Sequence, residues 1–315
     1  MKTNSSLRKL CMLILLPALV FTAASCGTSS LAPEPGSSEN SSQTAEPTEA
    51  PTECPWSIDA NGRRLAGSDT GVVRDGTPKK YFTLSFDDGI TQDARIIELL
   101  KKYDMPCTFF INTGLFGVNW EWVGQAIGNP SVTHIRFTEE EIRSGIYDGF
   151  DVESHTLTHP SLKNYDKQPA KIVSETEDNA VKIFELTGIY PTGMAWPGGD
   201  TEYTETTMNI VREQTDVGFA RAVTATRKYL LPTDWLFWQP TCSILDSPTT
   251  YANRFLKSEC TEDMLFYVWG HGYELDQANA WSTLEKLLKM MSEAEDVVCV
   301  SNAEFYWLFK DEIGG

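Results

Sequence analysis

Two histidines four residues apart, His155 and His159 in SHTLTHP (154–160), are the first residues here whose type and spacing could do chemistry. That spacing puts two imidazoles on one face of a helix turn, an arrangement suited to a divalent metal. In the zinc metalloprotease pattern a Glu follows the first His and takes the proton from water. Here Thr156 follows, and no carboxylate lies between the histidines. Two neutral imidazoles make a weak site, so a third, anionic ligand and a separate base must come from elsewhere. SFDDG (85–89) offers adjacent carboxylates, Asp87 and Asp88. One can bind an ion while the other stays nearby as base, and Gly89 lets the chain turn sharply after them. Of the four histidines in the chain, a third, His271, again follows a β-rich run.

Such scattered residues need elements that bring them together. β-rich runs at 81–86, 107–112, 150–154, 192–197, 218–223, 265–269 and 297–301 alternate with helical patterns. In the first helix Ile96, Ile97, Leu100 and Tyr103 recur at helical spacing within 91–103, with Thr91 placed to cap. Further helices are expected over TEEEIRSGI, 168–187 (stopped by Gly188), 203–215, 280–292 and the C-terminal end. Strands alternating with helices over about 240 residues predict parallel strands with helical crossovers. Asp87 and Asp88 end one strand, His155 follows another and His271 ends a third. Strand C-terminal ends converge on one site in a closed or distorted barrel, which is therefore favoured over an open sheet.

With those residues in place, the sequence over about 80–310 resembles the polysaccharide deacetylase family, the NodB-homology domain of carbohydrate esterase family four. SFDDG stands where the family has TFDDG, and HTLTH (155–159) matches its H-[ST]-x-x-H motif. The resemblance implies a distorted (β/α) barrel, with Asp88, His155 and His159 as metal ligands and Asp87 as catalytic base. It implies His271 as general acid and a backbone N–H near Gly198 that helps hold an oxyanion. The family's third motif departs here: MAWPGG (194–199) has Ala195 where an Arg orients the base, and Arg221 in GFARAV is the candidate replacement. Glu274 or Asp276 could orient His271. Trp196 and Trp269 are expected to line the site, and Trp120 and Trp122 could stack on sugar rings. The implied ion is zinc, with cobalt, nickel or iron also compatible with the donor set.

Composition narrows the partners. With 26 basic and 44 acidic residues the net charge is −18, which gives no attraction to nucleic acid or anionic lipid. Residues 1–26 read as a signal peptide ending in TAASC, either a plain secretory signal or, as the favoured reading, one that resembles a bacterial lipobox with Cys26 as the lipid site. Residues 27–55, rich in Ser, Thr, Pro and Glu, read as a disordered tether, leaving 56–315 as the catalytic domain. Excluding Cys11 and Cys26, five cysteines remain, an odd number, among which Cys242 and Cys260 could pair or, at least as readily, stay buried free thiols. The function expected is metal-dependent removal of acetyl groups from an acetylated polysaccharide or oligosaccharide, either an N-acetylglucosamine polymer or acetylated xylan, at the cell surface. Membrane contact would come through a lipid anchor alone. The rival readings are a catalytically weak carbohydrate-binding protein on the same fold and an amidase for a small non-sugar substrate.

Overall fold

Side-chain alternation along the strands decides what faces the barrel interior in this computed structural model, which describes residues 57–314. The expected signal segment, Cys26 and the tether lie outside the described residues. Eight strands among those described form one sheet: Lys80–Asp87 (β1), Thr108–Ile111 (β2), Asp151–Ser154 (β3), Gly193–Ala195 (β4), Phe219–Arg221 (β5), Cys242–Ser243 (β6), Met264–His271 (β7) and Val297–Cys299 (β8). The order is β5-β4-β3-β2-β1-β7-β6, with β8 paired to the start of β1, and every pairing is parallel.

One extended run draws the two ends of this order together. Trp238 bridges Arg221 of β5, with hydrogen bonds from its N–H to Ala220 (3.0 Å) and to its carbonyl from Ala222 (2.9 Å). Five residues on, Ser243 of β6 pairs with Trp269 of β7. The result is the expected distorted (β/α) barrel, with the two-residue β6 as its seam.

Along β1, Phe82, Leu84 and Phe86 point outward into a core shared with the helices, whereas Tyr81 points inward. Along β7, Phe266 and Val268 point outward while Leu265 and Tyr267 point inward. A period of two therefore carries Asp87 and His271 to the inner face. Helix Asn302–Phe309 packs its aromatic residues beneath them: Phe305 and Phe309 meet Tyr81 edge-on at 5.5 and 5.2 Å between ring centres. Burial of each such ring contributes about 1.5–3 kcal/mol. The lower barrel is thus solid core, and the upper end is left for polar groups.

Several local expectations need correction. The first helix runs Asp93–Tyr103, and Gln92 rather than Thr91 holds its N-cap position, without a side-chain cap. The Thr91 N–H is instead turned to the Ile135 carbonyl at 2.8 Å. Helix Pro169–Thr187 does end at Gly188, whose φ of 74° is the left-handed conformation that only glycine adopts without strain. Cys242 and Cys260 are both free thiols. The largest departure is the His155/His159 stretch, which is no helix. It is a loop leaving β3 with Thr156 at φ 65° and His159 at φ 54°. The buried Glu175 holds it open, its backbone carbonyl accepting from the Leu157 N–H and its carboxylate from the Thr158 N–H and hydroxyl. Backbone donors satisfied in this way have no need of helical partners.

Candidate active site

Strand register builds the site. Asp87 and His271 stand directly opposite one another at the ends of β1 and β7, and Ala195 stands opposite Arg221 on β4 and β5. After Asp87 the chain turns through Asp88 (φ 80°) and Gly89 (φ 63°). A side chain at 89 would meet Ile111 at 2.9 Å, so only glycine fits there. A non-glycine residue at positive φ costs about 1–3 kcal/mol and marks a position the surroundings enforce. Here the turn swings Asp88 over the same opening as Asp87.

Ligand atoms of Asp88, His155 and His159 all lie within 4.8 Å of one another. The Nε2 atoms of both histidines are 3.9 Å from Asp88 Oδ1. The His155 Nδ1–H donates to the Ala195 carbonyl at 2.9 Å. That bond fixes the tautomer and leaves the Nε2 lone pair free, as metal-bound histidines require. Burial holds His155 well below the usual imidazole range and lowers His159 as well, so both are neutral at pH 7. Burial works against ionisation of Asp88, but the hydrogen bond from His134 and the positive charge nearby hold it well below the usual carboxylate range. Two neutral imidazoles and one anion are the donor set a catalytic divalent cation takes, with positions left for water. The residues present therefore fit a metal.

Asp87 differs from its neighbour. Burial pushes its pKa up, against the opposing pull of Arg221 and His271. Its Oδ2 pairs with the fully buried guanidinium of Arg221, while Oδ1 is buried without a hydrogen-bond partner. Arg221 lies over the Trp269 ring at 4.2 Å and donates to the Ala222 carbonyl at 3.3 Å. His271 Nε2 is 3.9 Å from Asp87 and 3.8 Å from Asp88. Its backbone N–H donates to Glu274 Oε2 at 2.8 Å, and that oxygen lies 3.4 Å from its Nδ1. Burial would lower the imidazolium pKa, but Glu274, Asp87 and Asp88 overcome it and raise it to about 9. Asp276 faces away from His271: it accepts from Trp281 Nε1 at 2.9 Å and Gln92 at 3.1 Å.

These groups open into a cleft of about 560 Å³, also lined by Gly198, Trp120, Trp122, Trp196, Trp269 and Tyr273. Gly198 thus stands where expected, at φ 74°. Trp196 is fully buried, stacked on Tyr203 at 4.4 Å and bonded through Nε1 to the Leu236 carbonyl, so it serves as wall and core together.

Sequence reasoning missed His134 and Arg136. His134 Nε2 lies 2.8 Å from Asp88 Oδ2, and Arg136 donates to Asp88 Oδ1 at 2.9 Å. Arg136 also reaches Asn112, whose amide donates to the His155 and Thr156 carbonyls. A signal was present: Val132, His134 and Arg136 alternate along VTHIRF and are all buried, the period of an extended segment with one face inward.

Residues 74–217 match the family model described as Polysaccharide deacetylase. "Putative polysaccharide deacetylase YxkH" of Bacillus subtilis (strain 168) is 28% identical over 157 residues, 49% of this chain and 48% of that protein. The matched stretch is therefore about half the length of that relative. Solved structures that align include the Xyl-CE4 domain of a multidomain xylanase from the hindgut metagenome of Trinervitermes trinervoides (TM-score 0.45, 16% identity, 74% of this chain and 91% of that one). A family 4 acetyl xylan esterase from Clostridium thermocellum, in complex with a cobalt ion, aligns at TM-score 0.44 and 16% identity, over 72% of this chain and 91% of that one. The matched model begins ahead of SFDDG and runs past HTLTH, the two motifs whose side chains meet at the barrel mouth: over residues 74–217 the chain is similar to the polysaccharide deacetylase family.

Proposed function

We propose that the chain is a metal-dependent hydrolase that removes acetyl groups from carbohydrate, an N-acetylglucosamine polymer first and acetylated xylan second. The observation that carries this reading is the meeting of Asp87, Asp88, His155, His159 and His271 in one cleft from separate strand ends. Asp88, His155 and His159 would hold the ion, with zinc first and cobalt, nickel or iron also suited to these donors. When bound, such an ion supplies Lewis-acid polarisation of the acyl carbonyl and acidifies water.

The chain's own residues supply the rest. Asp87 takes a proton from the attacking water; Arg221 holds one of its oxygens and leaves Oδ1 free to accept. The water oxygen bonds to the acyl carbon, and the negative charge that forms on the carbonyl oxygen meets the backbone N–H of Gly198. His271, kept charged at neutral pH by Glu274, gives its proton to the departing amine or alcohol as the C–N or C–O bond breaks. Arg221 replaces the family's motif-three Arg from the next strand, since Ala195 is its register partner. The Cys26 lipobox and the segment after it support display on the outer face of the cell membrane.

The test is acetate release from a panel of N-acetylated and O-acetylated glycans, with the protein chelated and then reloaded with single divalent metals. Release from at least one glycan, lost on chelation and restored by metal, is expected. No release from any glycan by metal-loaded protein refutes the reading. Tight glycan binding without release would favour the weak-enzyme alternative, which the Ala195 departure otherwise motivates.

A further inference from the structure

Both carboxylate oxygens of Asp88 already have donors from the protein. His134 Nε2 bonds Oδ2 at 2.8 Å, and Arg136 donates to Oδ1 at 2.9 Å. Oδ1 is also the oxygen 3.9 Å from the Nε2 atoms of His155 and His159, so a guanidinium holds the very oxygen that faces the imidazoles. The two donors sit on one strap, tied by its backbone to the turn that carries Asp88. The Thr91 N–H donates to the Ile135 carbonyl at 2.8 Å, and the Phe137 N–H to the Gly89 carbonyl at 3.0 Å. His134 and Arg136 are each 1% exposed, and Arg136 Nε and Nη1 have no hydrogen-bond partner. The guanidinium lies 3.8 Å from the Trp120 ring centre. A buried cation bonded through only part of its fork is costly. A site of two imidazoles and one carboxylate does not call for one, because it offsets the single negative charge that attracts an ion.

Resting on the metal assignment above, we propose that His134 and Arg136 are positioning residues that set the strength of the metal site in opposite directions. His134 fixes Oδ2 and so presents Asp88 through Oδ1 alone, which strengthens binding by orienting the ligand in advance. Arg136 shares Oδ1 and places a full positive charge beside it. That charge weakens binding, and it keeps the buried carboxylate paired in metal-free protein. The fold itself thus assembles the ligand set, and the ion is taken up reversibly. At an effective dielectric of roughly 20, a charge this close shifts affinity by more than one tenfold step.

The experiment measures Kd for Zn2+ and Co2+ by competition with a chromophoric chelator, alongside thermal denaturation of chelated and metal-loaded protein. The full chain is compared with Arg136→Met, Arg136→Lys, His134→Phe, His134→Gln and Arg95→Met. Arg136→Met should bind both ions at least about tenfold more tightly. It should also be less stable when chelated and gain more than wild type from metal; folding only with metal present would support the same role. Arg136→Lys keeps the charge and should stay close to wild type. His134→Phe should bind about 10–100-fold more weakly, with partial recovery in His134→Gln, whose amide can still donate. Arg95→Met removes an exposed cation outside the cleft and should match wild type. Unchanged or weakened binding in Arg136→Met, Arg136→Lys behaving as Arg136→Met, or wild-type affinity in His134→Phe overturns the proposal while leaving the metal site standing. A wild type that binds neither ion overturns the metal assignment and this inference with it. Neither readout depends on which substrate the enzyme takes.

Discussion

Replacing Arg221 tests whether it acts through Asp87 or merely fills space. Both members of the pair are buried, Arg221 at 0% and Asp87 at 1% exposure, so solvent does not screen them. In Arg221→Met the remaining carboxylate has a buried Oδ1 without a partner and loses the partner of Oδ2. Breaking a buried ion pair in this way costs about 3–5 kcal/mol, a large share of the ~5–15 kcal/mol that holds a domain folded. The cost should depend on pH. Burial already raises Asp87 above the usual carboxylate value, and loss of the guanidinium raises it further. Between the unfolded and folded titrations the folded state then holds one more proton than the unfolded state. Stability therefore falls as pH rises, by up to about 1.4 kcal/mol per pH unit, and the deficit relative to wild type is larger at pH 8 than at pH 5. The assay is urea denaturation of chelated protein at both pH values, repeated in an Asp87→Asn background, where most of the deficit should vanish. In metal-loaded enzyme the acidic limb of kcat/KM should move upward. A deficit equal at both pH values and undiminished in the Asp87→Asn background, with an unmoved limb, would show that Arg221 only packs. If Arg221→Met does not fold, Arg221→Lys keeps the charge while losing the fork, and should retain the pH dependence of wild type.

Other outcomes follow from the same geometry. Asp88→Ala, His155→Ala and His159→Ala should each lose the metal by elemental analysis, whereas Asp87→Asn should keep it and lose about 10²–10⁴-fold in kcat. Equal metal content in all four would dissolve the ligand assignment. Glu274→Gln removes the leading charge that raises His271 to about 9, so the alkaline limb of kcat/KM should move to lower pH. Because a bound cation also lowers that pKa, the wild-type limb should itself lie at or below about 9, and a limb that ignores the substitution would assign the acid elsewhere. Cys26→Ala should move the protein out of the membrane fraction; wild type that is already soluble with an unmodified N-terminus would end the lipoprotein reading.

Much of this site was legible because its residues sit at strand ends, where β-rich runs stop at polar groups. SFDDG and YVWGH announce both the strand and its last inward residue, and two such ends in parallel register leave Asp87 and His271 opposite each other. The His pair was found for an imperfect reason. Spacing of four suggested a helix, yet the loop reaches the same juxtaposition through two left-handed residues and Glu175. Periodicity reports local geometry, and here a buried carboxylate far along the chain sets it. The strand at Cys242–Ser243 carries two residues and no periodicity at all, so only its pairing partners reveal it. His134 and Arg136 lie in a long irregular stretch with isolated bridges at Ile135 and Arg136, where inward alternation over a few residues is easily lost among turns.

The Arg221 position shows why a broken motif need not mean a broken site. What a buried carboxylate needs is a cation within hydrogen-bond distance, and register places any side chain at 221 beside one at 195. Ala195 contributes almost no volume, and its carbonyl is already engaged in orienting His155. That leaves the inner face between β4 and β1 open to a long side chain from β5, whose guanidinium crosses to Asp87 and lies over Trp269. An arginine at both positions would crowd two like charges into a volume closed by fully buried aromatic residues, so the small residue at 195 and the large one at 221 are parts of one arrangement. The same principle governs Asp88, whose partners His134 and Arg136 come from an irregular segment and not from a strand end. Asp87 and Asp88 are sequence neighbours with partners on opposite sides of the mouth. Burial raises Asp87 against the pull of Arg221 and His271, whereas the hydrogen bond from His134 and the nearby positive charge overcome burial and lower Asp88, and that difference suits one to accept a proton and the other to remain an anion beside two neutral imidazoles.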